Sequence, residues 1–234
     1  MTDNDILCLR PTWLDIDLKA IQTNAKLIMR HAGAQRLIAV VKANAYGHGA
    51  KQVVGALFEV GVYDFAVATI GEGVDLRKYY PQAEINIFLL GVQDVTQTEV
   101  MVENRLSPAV GTTEWLDEAV NYIKDGQKLD VQLAVDTGMG RMGAHSASAV
   151  EDMYHLIQGT EKFQLAGVFT HFATADDNNQ NYYDEQVQRF YQWVQSAGIP
   201  KQYLHLANSG SAIWHHDEIY TDTIRVGSVL YGYN

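Results

Sequence analysis

Residues 38–50 read IAVVKANAYGHGA: four apolar residues, Lys42, and then a break through Asn44, Tyr46, two glycines and His48. An unbroken apolar run suits a strand covered on both faces, the condition of a parallel sheet. A lysine is a costly way to end such a strand unless its amine is wanted there. The same phrase, a short apolar run followed by a Gly, Asn or Asp break and an amphipathic stretch, recurs along the chain. The runs are LIAVVK (37–42), DFAVA (64–68), INIFLL (85–90), LSPAV (106–110), VQLAVD (131–136), LAGVFTH (165–171), YLHLAN (203–208) and DTIRVG (222–227). Helical stretches are expected between them at 49–58, 71–79, 94–102 and 113–124, then from an N-cap at Ser146 to Gln158, and over 180–197, where Gly198, Ile199 and Pro200 stop the helix. Such alternation predicts an α/β fold, a parallel (β/α)8 barrel of TIM type, over residues 37–234.

Residues 1–36 form a lead-in to that barrel. PTWLDIDLKAIQTNAKLI alternates as a strand does through Trp13, Asp15 and Asp17, then turns helical. The last residues, VLYGYN, follow strand eight without an eighth helix, so the barrel reads as truncated there. A net charge of -11 argues against a nucleic-acid surface. No apolar run approaches the length of a membrane span. Cys8 is the only cysteine and the N-terminus has no apolar signal segment, so a soluble, cytoplasmic protein is expected.

Barrel active sites lie at the C-terminal ends of the strands. Lys42, Arg141, His171, Asn208 and Arg225 fall there, and so many cations at one rim repel unless an anion sits among them. Phosphate sites in barrels often follow strands seven and eight. Here those strands run into ANSGSAIWH, where Asn208 or Ser209 can cap a short helix, and into RVGSVLYG, where Gly227 and Ser228 can offer backbone N–H groups. A lysine facing a phosphate site, with an amine made nucleophilic by desolvation and neighbouring cations, fits a Schiff-base lysine, and pyridoxal phosphate is the cofactor that needs both. Two rival readings are weaker. Gly138, Gly140 and Gly143 match the G-x-G-x-x-G dinucleotide fingerprint, but on the fifth unit, and the next strand ends in His171 rather than an acid for a ribose. A metal site lacks ligands, because His215 and His216 are adjacent and His171 and His205 have no accompanying carboxylates.

AVVKANAYGHG, DTGMGRMG, FTHFATAD, ANSGSA and RVGSVLYG, in this order and with the opening PTWLDIDLKAIQTN, resemble the alanine racemase family over essentially the whole chain. The resemblance implies that Lys42 carries the cofactor as an internal aldimine and is one of two catalytic bases. It implies that Tyr46, Ser209, Gly227 and Ser228 hold the phosphate, that His171 lies against the ring, that Arg141 bonds the phenolic oxygen and that Arg225 faces the pyridine nitrogen; Asn208 is expected with them among the cofactor-binding residues. It further implies interconversion of L- and D-alanine for peptidoglycan precursors, in a homodimer with shared active sites, with neither nucleic acid nor membrane as partner. Two departures stand out. The family usually has a carbamylated lysine two residues before the Asp of DTGMGR, where this chain has Ala134. The family also has a mainly β C-terminal domain that supplies an opposing tyrosine across the dimer, and this chain ends before it. Tyr231 and Tyr233 are not expected to fill that role. The chain is therefore expected to be impaired in turnover, with a sticky edge at residues 13–18. The alternative is a non-catalytic, single-domain pyridoxal-phosphate-binding barrel.

Overall fold

A computed structural model describes residues 13–81, 84–215, 217 and 221–233. Cys8, with the rest of residues 1–12, and His216 lie outside them. Helix α1 (Leu18–His31) leads into eight strands: β1 (Arg36–Val40), β2 (Asp64–Val67), β3 (Asn86–Leu89), β4 (Leu106–Val110), β5 (Leu129–Ala134), β6 (Phe163–Phe169), β7 (Leu204–His205) and β8 (Thr223–Val226). Between them run α2 (Ala50–Glu59), α3 (Ile70–Tyr79), α4 (Thr98–Glu103), α5 (Thr113–Ala119), α6 (Ala147–Gln158), α7 (Asn181–Ser196) and α8 (Ser209–Trp214). The strands pair in parallel in the order β7-β6-β5-β4-β3-β2-β1-β8. The Arg225 N–H donates to Ala207 O at 2.8 Å, bringing β8 back to the end of β7, so the barrel is nearly closed.

The double burial expected of the first run is met residue by residue. Ile38 and Val40 point into the barrel with Ala66, Phe88, Ala109, Ala134 and Phe169. Leu37 and Ala39, on the opposite face of β1, join the larger core between strands and helices. Ser146 caps α6 as expected, accepting from the Ala149 N–H at 3.1 Å. The expected helix at 94–102 is divided, because Asp94 caps a 3-10 turn, Val95–Gln97, before α4 begins. The stretch expected to be helical over 113–124 likewise leaves α5 for a 3-10 turn at Val120–Tyr122.

The strand expected at residues 13–18 is absent, and Leu18 already opens α1. These residues pair with nothing in the sheet, and Trp13 and Leu14 are 74% and 83% exposed. Alternation encodes a two-faced strand, but a strand needs a neighbour, and here β1 is flanked on both sides by β2 and β8. Asp17 instead caps α1 through the N–H groups of Lys19 and Ala20. No helix among the described residues is long and apolar enough to cross a membrane.

Candidate active site

Lys42 does not end a strand. β1 stops at Val40, and Lys42 opens a short turn, Lys42–Tyr46, in which Ala43, Asn44, Ala45 and Tyr46 all have φ between 51° and 55°. Left-handed backbone costs a non-glycine residue about 1–2 kcal/mol, so a run of four must be held from outside. Gly47 and Gly49, at φ 87° and 89°, let the chain leave the turn. The Asn44 side chain accepts from the Ala50 N–H at 2.8 Å, joining the turn to α2.

Lys42 and Tyr46 line a cleft of about 750 Å³ at the C-terminal ends of the strands. All nine candidates line it: Lys42, Tyr46, Arg141, His171, Asn208, Ser209, Arg225, Gly227 and Ser228. At one corner the Gly227 N–H donates to Ser209 Oγ at 3.1 Å. Any Cβ on Gly227 would stand 2.7 Å from the Tyr46 hydroxyl, so only glycine lets these two groups approach. Asn208 spends its side-chain oxygen on capping α8, accepting from the N–H and hydroxyl of Ser211. Tyr231 packs behind this corner, its ring stacked 4.7 Å from His48 and its hydroxyl donating to Val40 O at 2.9 Å. Burial, then Tyr46, raises the Tyr231 pKa. Tyr233 is 59% exposed and outside the cleft.

Arg225 is buried. One guanidinium nitrogen meets His205 Nδ1 at 3.0 Å and His205 O at 3.2 Å; the other donates to Thr170 O at 2.8 Å and lies 3.5 Å from His171 Nδ1. Burial, then Arg141, lowers its pKa to about 10, which leaves it charged at neutral pH. The opposite ring nitrogen of His205, Nε2, is 3.0 Å from Gln132 Oε1, which can only accept. Nε2 therefore carries the proton and Nδ1 is free to accept from Arg225. Burial, then Arg225 and Arg36, holds the His205 pKa well below 6.5. Burial, then Arg225, Arg141 and Lys42, brings His171 down to about 3. Both imidazoles are neutral near pH 7, and among the described residues the charged side chains lining the cleft are Lys42, Arg141 and Arg225 against one carboxylate, Asp176.

The glycine-rich turn is not a dinucleotide site. Asp136 accepts from the N–H groups of Gly138, Gly140 and Arg141 at 2.9, 3.0 and 2.8 Å. Burial alone would raise the Asp136 pKa, but these bonds and His145 outweigh it and hold the carboxyl below its usual range. Donors that would cradle a pyrophosphate are thus spent on the turn's own carboxylate. Gly143, at φ 120°, presses on the chain at and just past the end of β5, where a Cβ would come within 2.7 Å of Asp136 N and 2.9 Å of Ala134 C. The turn presents Arg141 to the cleft, while Ala134 is buried inside the barrel and offers Arg141 no polar brace.

The supporting roles of three residues escaped the reading of the sequence, which considered His205 only as a metal ligand. Gln132 and His205 cross the barrel beside Gly167, whose Cβ would collide with Gln132 Oε1. Gln186, buried on α7, donates to Thr137 Oγ and His171 O and accepts from the Ala173 N–H, tying the ends of β5 and β6 together. The available signal was polar residues inside apolar runs, as in VQLAVD and YLHLAN.

Residues 16–234 match the family described as alanine racemase, N-terminal domain. The chain is 36% identical over 224 residues to alanine racemase of Anoxybacillus flavithermus, covering 95% of this chain and 58% of that one. It is 38% identical over 228 residues to alanine racemase of Streptococcus uberis, covering 96% and 60%. Among solved structures it is similar to alanine racemase from Oenococcus oeni, with a TM-score of 0.87 and 33% identity over 93% of this chain and 63% of the other. It also resembles histidine racemase from Leuconostoc mesenteroides subsp. sake, with a TM-score of 0.87 and 29% identity over 93% and 58%. The chain thus spans 58–60% of the length of these curated relatives.

Proposed function

The chain belongs to the alanine racemase N-terminal-domain family, and from that premise we propose that it binds pyridoxal phosphate through Lys42 and that Lys42 moves the α-proton of alanine. The supporting observation is the cleft itself, where three cations line the same space as a corner shaped by the close approach of Gly227 and the Tyr46 hydroxyl. That corner suits a phosphate: Tyr46 and Ser209 bring hydroxyls, and Gly227 and Ser228 bring backbone. In this reading Arg141 takes the phenolic oxygen, His171 lies along the ring and Arg225 faces the pyridine nitrogen. The cofactor, when bound, supplies an electron-withdrawing ring that acidifies the α-C–H of an attached amino acid. Arg225, held by Thr170 O and His205 and charged at neutral pH, donates a hydrogen bond and keeps its proton.

Racemisation removes a proton from one face of the α-carbon and delivers one to the other. Lys42 serves one face. Tyr46 belongs to the phosphate corner and the Tyr231 hydroxyl is engaged by Val40 O, so the proposal places the second base in a longer protein, in a homodimer with shared sites. The physiological role proposed is cytoplasmic supply of D-alanine for peptidoglycan. The test is proton NMR of each alanine enantiomer in deuterated buffer with this chain and added cofactor. α-Hydrogen exchange of D-alanine should far outrun that of L-alanine, with negligible net racemisation. Equal exchange of both would place a second base within these residues. Tight binding with no exchange of either would favour a non-catalytic cofactor-binding barrel, the reading that the engaged Tyr231 hydroxyl also supports.

A further inference from the structure

Glu72 lies outside the cleft, yet one of its oxygens reaches the peptide that carries Lys42. It is the third residue of α3 and closes a capping box with Thr69: the Glu72 N–H donates to Thr69 Oγ at 3.3 Å, and Glu72 Oε2 accepts from the Thr69 N–H at 3.2 Å. Oε2 also accepts from the Ala68 N–H at 2.7 Å. Capping needs only that oxygen. The other, Oε1, accepts from the Ala43 N–H at 2.6 Å. That N–H belongs to the Lys42–Ala43 peptide, so the bond fixes the amide plane on which Lys42 is mounted. Ala43 is also the first of the left-handed residues. Two backbone bonds of the turn, Ala45 N–H to Val41 O and Gly47 N–H to Ala43 O, reach only its immediate flanks in sequence.

We propose that Glu72 is a positioning residue for Lys42: its carboxylate ties the strained turn after β1 to the N-terminus of α3 and so sets where the lysine amine stands. The inference rests on Lys42 being the point of cofactor attachment. It demands a carboxylate of this length. Glutamine would turn an N–H toward one of the N–H groups now bound. Aspartate, one methylene shorter, can still cap α3 with a negative charge but cannot also span to Ala43.

Glu72→Asp therefore separates helix capping from lysine positioning, and Glu72→Gln checks the need for two accepting oxygens. The first readout, in the chain without cofactor, is amide hydrogen exchange. Peptides covering residues 42–49 should exchange roughly tenfold faster or more in both variants, the scale of a lost charge-assisted bond, while α1 and β5 stay as in the wild type. The second is the rate at which pyridoxal phosphate becomes borohydride-trapped on Lys42, which should fall by a similar factor while Glu72→Asp melts close to the wild type. Wild-type exchange at 42–49 in Glu72→Asp would overturn the inference, as would faster exchange with unchanged trapping. A wild-type chain that traps no cofactor on Lys42 would instead sink the proposed function, and the exchange comparison would still decide whether Glu72 holds the turn.

Discussion

Replacing Gly227 with alanine isolates the proposed phosphate corner from the stability of the barrel. Gly227 has φ −126°, outside the left-handed region that favours glycine, so the substitution acts chiefly through what its new side chain meets. Its new Cβ would stand 2.7 Å from Tyr46 Oη, 3.2 Å from Tyr46 Cζ and 3.3 Å from Val40 Cβ. Val40 is locked in the inner core, whereas Tyr46 is 38% exposed and its hydroxyl is the far end of its side chain. Tyr46 must therefore yield. If its hydroxyl bonds a phosphate oxygen, the loss is about 1.5–3 kcal/mol, or roughly 10- to 150-fold in affinity. Global stability should change by less than about 1 kcal/mol, because the displaced group is on the surface. Tyr46→Phe should weaken binding similarly, and adding Gly227→Ala to it should cost little more, because the closest colliding atom is gone. Spectrophotometric titration with pyridoxal phosphate, with thermal melts on the same samples, measures all of this. Wild-type affinity in Gly227→Ala, or fully additive losses in the double variant, would mean that the approach of Gly227 and Tyr46 does not shape the phosphate site.

Three further outcomes follow from the supporting network. His171 and His205 have folded pKa values depressed below 6.5, so the unfolded chain takes up protons that the native one refuses; stability is present above pH 6.5 and falls as pH drops through it, for His171 down to about 3. Each contributes at most about 1.4 kcal/mol per pH unit, and urea melts at pH 7.5 and 5 that give the same stability would contradict both assignments. Asp136→Asn presents an amide N–H to donors now satisfied by the carboxylate, and should cost about 1–3 kcal/mol while loosening the turn that carries Arg141, visible as faster amide exchange at residues 138–141. Gly167→Ala forces apart Gln132 and His205, and should destabilise the barrel by about 1–3 kcal/mol; nitrogen NMR of His205 should show loss of its single tautomer, and an unchanged spectrum would count against the assigned proton.

The barrel was legible because its strands are buried on both faces. Residues 37–40 must be apolar whichever way they point, so the run itself announces a parallel strand. Ser146 was legible because a cap acts within three residues of itself. What escaped depends on partners distant in sequence. Asn44 tolerates left-handed backbone, but Ala43 and Ala45 do not announce it, because glycines only flank the turn and one of its anchors, Glu72, lies on another unit. The alternation at residues 13–17 is genuine, but a local pattern cannot show that β1 already has both its neighbours. The inward residues were found as a set because strand ends converge in a barrel. The pairing of Gln132 with His205 was not, because it depends on the register shift between β5 and β6 near Gly167.

In the proposed function Lys42, rather than any other amine, carries the cofactor. Lys51 is the nearest competitor in sequence, and its Nζ lies 4.6 Å over the Tyr79 ring rather than in the cleft. The chain is incubated with pyridoxal phosphate, reduced with borohydride, digested and mapped by mass spectrometry. A single pyridoxyl adduct on the peptide containing Lys42, lost in Lys42→Ala, is expected; label on Lys51, label spread over several lysines, or no saturable label would mean that Lys42 is not the point of attachment.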